Sequence, residues 1–313
     1  MRALIPSSEI RVEPATICNY SCLMCPRGKL VRHREIMPNE LFEQIVRQAK
    51  TEVPHLEICT VSGYGEFAVD PDWKRKLFVA AALFPRVHVV TNLSLIQSED
   101  DLKTLAALTT EVRVSINALG EARYREIHRP PAGVDYARLE RQVERLAMFR
   151  GPDFELRLTF TALPETEDQV DSWIERWSPV VDGLEVWRPH NWIYGRDYRS
   201  VGGERMETCG RPAHGPIQVQ VDGTVNVCCY DFNGELIIGD LKRETLAEIY
   251  SGKRMCRIRA LHRNGRADSL APCARCDQRE PFEQRQKHLI YCSFEASTDR
   301  VKLTSSGKER LPV

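Results

Sequence analysis

Two hydrophobic periods replace one another along the first two-thirds of the chain. Apolar and β-branched runs at Glu9–Ile17, His55–Val61, Arg86–Thr91, Glu111–Ile116, Phe154–Leu163 and Gly183–Trp187 read as strands. Helical periodicity fills most of the gaps. Asn39–Lys50 sets Leu41, Ile45 and Ala49 on one face, and Ser98–Leu108 opens on Ser98 as an N-cap. Asp135–Arg150 aligns Leu139, Val143 and Leu146, and Asp168–Trp177 aligns Val170, Ile174 and Trp177. Six β/α repeats predict an α/β fold on a parallel sheet, either open and doubly wound or barrel-like. In such a sheet the chemistry gathers beyond the carboxyl ends of the strands.

Past residue 195 the pattern changes. Pro216–Val221 and Thr224–Cys228 flank Asp222-Gly223, which predicts a hairpin with a two-residue turn. Glu244–Tyr250 reads as a short helix closed by Ser251-Gly252, and the polar end of the chain is expected to be mobile. These shifts predict an α/β body over 1–195, an appended domain over 196–292 and a tail over 293–313.

Composition narrows the class. Lys+Arg and Asp+Glu both number 44, so nothing drives non-specific binding to nucleic acid. The longest apolar run, Leu77–Phe84, is far too short to span a bilayer, and the first residues carry no signal-peptide pattern. A cytoplasmic protein without membrane or nucleic-acid partners is expected. Eleven cysteines in such a chain are not a disulfide framework, because the compartment is reducing and the count is odd. Most fall in two clusters, which points to metal.

The first cluster is Cys18-x3-Cys22-x2-Cys25, directly after the first strand. Three thiolates on one loop suit three corners of a cubane iron–sulfur cluster; a zinc knuckle would need a fourth ligand nearby. Ser62-Gly63-Tyr64-Gly65-Glu66 follows the second strand, Thr91-Asn92 ends the third, and Ser115-Ile116-Asn117 ends the fourth. With these motifs in this register the chain resembles the radical S-adenosylmethionine (SAM) superfamily. The resemblance implies a partial (β/α)6 barrel, with Cys18, Cys22 and Cys25 holding a [4Fe-4S] cluster whose fourth iron is chelated by SAM. Reductive cleavage of SAM would then yield a 5′-deoxyadenosyl radical that abstracts hydrogen from the substrate. Met24, Gly63, Tyr64, Gly65, Glu66, Thr91, Asn92, Ser115 and Asn117 fall at the positions implied to contact SAM.

The second cluster is Cys209, Cys228 and the pair Cys273-Ala274-Arg275-Cys276. Composition alone leaves zinc and iron–sulfur open. Cys209-x13-Gly223-x4-Cys228 resembles the start of a SPASM or twitch extension, which implies a second, auxiliary [4Fe-4S] cluster on these four cysteines. Only Cys292 follows, so the single-cluster twitch form fits better than full SPASM.

Cys59 and Cys292 sit in apolar surroundings and read as small core residues, while strand alternation predicts Cys229 on the face opposite Cys228. Cys256, between Lys253, Arg254, Arg257 and Arg259, differs. It is read as a catalytic hydrogen-atom donor. Arg188, His190, Asn191 and Trp192, after the sixth strand, mix aromatic faces with donors and suit a polyhydroxylated or polyamino substrate. Only seventeen residues precede Cys18, so the N-terminal recognition domain frequent in peptide maturases is not expected. The cysteine spacing resembles aminoglycoside and aminocyclitol enzymes of the superfamily, such as the 2-deoxy-scyllo-inosamine dehydrogenase and the neomycin C epimerase. The expected function is epimerisation of an aminoglycoside sugar carbon, with Cys256 returning hydrogen; dehydrogenation of an aminocyclitol alcohol and peptide modification are the alternatives. A flavodoxin- or ferredoxin-like electron donor is implied.

Overall fold

The computed structural model describes residues 2, 4–199, 201, 204–280 and 289–293, with the backbone of 301–304 and 307–310. Its first half runs β1 (Glu9–Val12), α1 (Asn39–Glu52), β2 (Ile58–Val61), α2 (Trp73–Leu83), β3 (Arg86–Thr91), α3 (Glu99–Leu108), β4 (Glu111–Ser115) and α4 (Glu121–His128). Next come α5 (Tyr136–Ala147), β5 (Glu155–Thr161), α6 (Val170–Trp177), β6 (Gly183–Trp187), α7 (Arg211–His214), β7 (Ile217–Val219) and β8 (Thr224–Asn226). The remainder is β9 (Ile237–Asp240), α8 (Leu246–Ser251), α9 (Lys253–Arg263), α10 (Ala271–Ala274), β10 (Leu289–Cys292), β11 (Val301–Thr304) and β12 (Gly307–Arg310). Apart from Ser293 and these last two strands, which pair antiparallel, the expected tail lies outside the described residues.

The chain forms two compact units. One comprises Met1–Cys18, Cys25–Val89 and His190–Pro281. In it β1 pairs in parallel with β2 on one side and β7 on the other, and β2 pairs in parallel with β3. An antiparallel β7–β8–β9 ribbon continues the sheet. Because β1 is central, its inward residues Ile10 and Val12 are fully buried, in register with Cys59 and Val61 and with Ile217 and Val219. The other unit comprises Asn19–Met24, Val90–Pro189 and Phe282–Val313. There β4, β5 and β6 are parallel and β10 adds antiparallel to β6. The expected α/β class on a parallel core is what the chain adopts.

Local chemistry explains where elements begin and end. The first strand stops at Val12, short of Ile17, because Pro14 cannot donate to a ladder. Ser98 and Asp135 cap α3 and α5 by accepting from the backbone N–H of Asp101 and Arg138. Thr245 and Glu248 form a reciprocal capping box on α8. The hairpin turn has three residues, not two: Gln220 N–H reaches Thr224 O at 2.8 Å, leaving 221–223 as the loop. Gly223 supplies the left-handed position (φ 88°) that this loop needs. Helix α2 was not legible, because its second half is a continuous apolar run that blurs the helical spacing of its buried Trp73, Leu77 and Ala80.

Asp135→Ala removes a cap bond of 2.7 Å and is expected to lower stability by about 1 kcal/mol. An unchanged denaturant midpoint would show that α5 does not depend on this cap.

Candidate active site

Leaving β1, the chain is fixed by the buried carboxylate of Glu13. It accepts from the backbone N–H of Tyr64 and of Val221, both at 3.1 Å, and pairs with both terminal nitrogens of Arg32 at 2.8 and 3.1 Å. The Gly63–Glu66 turn then lies directly on the backbone that leads to Cys18. Gly65 N–H bonds Ala15 O at 3.0 Å and Glu66 N–H bonds Ile17 O at 2.9 Å. A Cβ at Gly65 would run into the carbonyl oxygens of Ala15 and Ile17, and one at Gly63 into the Glu13 side chain. Both glycines are therefore required by the protein's own packing. Glu66 is buried and caps the turn at Phe67–Val69. Tyr64 donates its hydroxyl to Cys229 O, and burial pushes its ionisation well up.

In the other unit, Asn92 and Ser94 at the end of β3 hold the middle of the cysteine loop. Asn92 donates to Asn19 Oδ1 at 3.0 Å, and Asn19 donates to Ser94 Oγ at 2.8 Å. The last turn of α4 approaches the same loop: Leu23 N–H bonds Ile127 O, and the Tyr20 and Tyr124 hydroxyls pair. His128 is fully buried, and that burial lowers its pKa to about 3, so the ring is neutral. Its Nε2 accepts from Asn117 N–H at 2.9 Å, which leaves the proton on Nδ1, 3.7 Å from Cys22 Sγ. Asn117 Oδ1 accepts from Thr161 N–H at 2.6 Å, Thr91 Oγ1 accepts from Leu93 N–H, and Ser115 Oγ accepts from Thr159. Cys18, Cys22, Met24 and Cys25 are half-buried in the loop.

Cys209, Cys228, Cys273 and Cys276 line one cavity of the first unit, enclosing about 390 Å³ of space partly open to solvent. Sulfur-directed donors surround it. Tyr230 N–H points at Cys228 Sγ and Gln278 N–H at Cys276 Sγ, both at 3.4 Å. His262 Nε2 lies 3.5 Å from Cys273 Sγ, while its Nδ1 meets the Thr208 hydroxyl at 2.9 Å. Burial pushes the Cys273 and Cys276 thiols up to about 12. Ionising them together requires a bound cationic group, which is how metal binding couples to such a set. Among the described residues no three His, Cys, Asp or Glu side chains converge to hold a single ion. Four thiols around a volume, with N–H donors aimed at sulfur, fit an iron–sulfur cluster. Arg211 lies against this group: burial opposes its charge, and Cys229 and Cys228 more than offset that and raise its pKa. The alternation expected to separate Cys229 from Cys228 fails, because β8 ends at Asn226 and the two buried thiols perturb each other's ionisation in the turn beyond it.

The segment after β6 divides by unit. Arg188 is exposed and pairs with Glu167 at 3.0 Å. In the first unit His190, Trp192 and Tyr230 form an aromatic group, with ring centroids 4.1 to 5.7 Å apart, and Tyr64 meets Trp192 edge-on at 5.6 Å. Trp192 and Ile193 both adopt left-handed backbone (φ 49° and 65°), a strain of order 1–3 kcal/mol each. Asn191 holds that loop: its N–H bonds Asp277 at 2.8 Å, its Oδ1 accepts from Tyr198 and Arg199 N–H, and its amide donates to Arg199 O. Arg196 of the same loop donates to Cys25 O, and Ile193 enters the four-cysteine cavity.

The profile of the Radical SAM superfamily matches residues 12–176, more than half of the chain. The chain belongs to the radical SAM superfamily. The profile of the SPASM iron–sulfur cluster-binding domain matches residues 209–277, a span bracketing the four cavity cysteines. BtrN in complex with AdoMet and 2-DOIA is 19% identical over 86% of this chain and 92% of BtrN, with a TM-score of 0.57. The AdoMet-bound anSMEcpe is 16% identical over 90% of this chain and 95% of its own, with a TM-score of 0.66. Streptococcus suis SuiB bound to precursor peptide SuiA is 14% identical over 81% and 67%, with a TM-score of 0.64. At such identities these structures speak for the fold. No curated protein sequence matches the chain.

A radical SAM protein with a SPASM domain takes SAM and iron–sulfur clusters. Among the described residues no helix is long and apolar enough to cross a membrane. Cys59 and Cys292 are buried, as expected. Cys256 is exposed in the first turn of α9, donates to Ser251 O at 3.3 Å and does not line the cysteine cavity. Glu13, Asn19, His128, Arg211 and His262 escaped the sequence reading, since each acts through a partner distant in the chain.

Glu13→Gln leaves the Arg32 charge buried without its counter-ion and is expected to destabilise by about 3 kcal/mol. Glu13→Gln/Arg32→Gln should cost less than the two single changes together. Additive costs in a double-mutant cycle would deny the pair its structural role.

Proposed function

We propose that this radical SAM enzyme takes a small cyclic substrate bearing amino and hydroxyl groups, of the aminoglycoside or aminocyclitol kind, and oxidises a secondary alcohol. When bound, the clusters supply one electron that splits SAM into methionine and a 5′-deoxyadenosyl radical, and accept the electron the substrate releases. Cys18, Cys22 and Cys25 hold the first cluster, and Cys209, Cys228, Cys273 and Cys276 the auxiliary one. The backbone of Gly63–Glu66 receives the methionine end of SAM. Thr91, Asn92, Ser115 and Asn117 serve its nucleoside side, Asn92 also fixing the cysteine loop through Asn19. His190 and Trp192 offer aromatic faces to a ring, and Asn191 keeps their strained loop in place.

The observation that carries oxidation over inversion is the position of Cys256. Inversion needs a thiol that hands a hydrogen atom to the substrate, whereas Cys256 lies exposed on α9, whose buried residues are Met255, Ile258 and His262. Epimerisation remains the second reading. It is favoured by the Cys256 S–H, which donates to Ser251 O and so carries the hydrogen such a step would return.

One experiment separates them. Turnover of an aminocyclitol in D2O should give an oxidised product without solvent deuterium, and Cys256→Ala should leave its rate within about twofold. An inverted product carrying one deuterium, lost in Cys256→Ala, would replace dehydrogenation by epimerisation.

A further inference from the structure

Helix α9 has two unlike faces. Its buried side places Ile258 and His262 in the wall of the four-cysteine cavity, with His262 Nε2 3.5 Å from Cys273 Sγ. Its outer side is cationic. Residues 249–267 contain Lys253, Arg254, Arg257, Arg259, Arg263 and Arg266 and no Asp or Glu, in a chain whose formal charge is zero. Two of these are engaged with backbone: Arg259 bonds Pro212 O and Leu4 O, both at 2.8 Å, and Arg254 bonds Glu235 O at 2.9 Å. Lys253, Arg257, Arg263 and Arg266 are exposed. Of the acids nearby, Asp268 is taken by Arg205 and Arg279, and Glu207 lies against Gly265. Helix stability argues against this arrangement. Lys253 and Arg254 occupy the first turn, where the helix dipole disfavours cations, and no acidic residue offsets them there. A local rule broken without local compensation points to a use.

We propose that the outer face of α9 docks an acidic one-electron carrier protein, which exchanges electrons with the auxiliary cluster across the thickness of the helix, about 10 Å. The electrons balance. One electron from the reduced carrier cleaves SAM; the substrate carbon gives a hydrogen atom to the deoxyadenosyl group and its hydroxyl gives a proton to solvent. The remaining electron leaves through the auxiliary cluster to the oxidised carrier, which ends as it began. Opposite charges on the two proteins steer the encounter, and salt weakens it.

The proposal rests on assigning Cys209, Cys228, Cys273 and Cys276 to the auxiliary cluster and not on the identity of the substrate, so its test contains no substrate. Binding of oxidised, acidic flavodoxin to the anaerobically reconstituted protein is titrated calorimetrically at about 50 and about 200 mM salt, where screening differs strongly. Wild-type affinity is expected to fall about tenfold between the two, and Arg257→Glu/Arg263→Glu to lose about tenfold at low salt while keeping its iron content and Tm. Lys253→Gln/Arg266→Gln should lie between them. Re-oxidation of the reduced protein by flavodoxin should slow in the same order, and re-oxidation by the neutral duroquinone should not. Equal affinity of the charge-reversed variant would overturn the proposal, as would binding without salt dependence. Tighter binding of a short DNA duplex, with the same dependence on these residues, would assign the face to nucleic acid instead.

Discussion

The first unit turns on one buried carboxylate. Glu13, at the point where β1 ends, receives the N–H of Tyr64 from the glycine-bearing turn, the N–H of Val221 from the hairpin loop, and the Arg32 guanidinium. A carboxylate out of water must have its lone pairs satisfied or it will not stay charged, and four donors do so here. That requirement ties three chain segments to one atom group. It explains why Gly63 has no side chain, since a Cβ there would occupy the space of Glu13. The loop carrying Cys18, the turn with Glu66 and the hairpin that leads to Cys228 thus share one anchor.

A second principle recurs around the cysteines. Each group of thiols meets a histidine whose far nitrogen is already engaged: Asn117 N–H for His128, the Thr208 hydroxyl for His262. The near nitrogen then faces sulfur, Cys22 in one case and Cys273 in the other. Hydrogen bonds to ligand sulfur are among the means by which a protein sets a cluster's potential. Burial opposes ionisation of Cys273 and Cys276, so the set is completed only by what it binds.

Much of this was legible in the sequence, and the illegible parts have common causes. Strand and helix order followed from periodicity, and the grouping of Cys209, Cys228, Cys273 and Cys276 around one cavity was foreshadowed by their spacing. Strand ends were overestimated where hydrophobicity continued past a backbone break, as at Pro14. Cys229 was misplaced because alternation was extended beyond Asn226, where the strand had already ended. Asn191 reads as a polar residue beside aromatics, yet it closes its own loop onto Tyr198, Arg199 and Asp277. Glu13, His128 and His262 left no signal at all: a buried carboxylate or imidazole is defined by partners that only the fold brings near.

The central claim is that seven of the eleven cysteines hold two iron–sulfur clusters, one of which cleaves SAM. Its most direct measurement is anaerobic reconstitution with iron, sulfide and 5′-deoxyadenosine analysis, on the wild type and on Cys228→Ala/Cys276→Ala. The account predicts about eight irons and eight sulfides per wild-type chain, about four of each in the variant, and 5′-deoxyadenosine released under reductant by the wild type. A wild-type chain that bound zinc in place of iron, or released no 5′-deoxyadenosine with its iron in place, would contradict it.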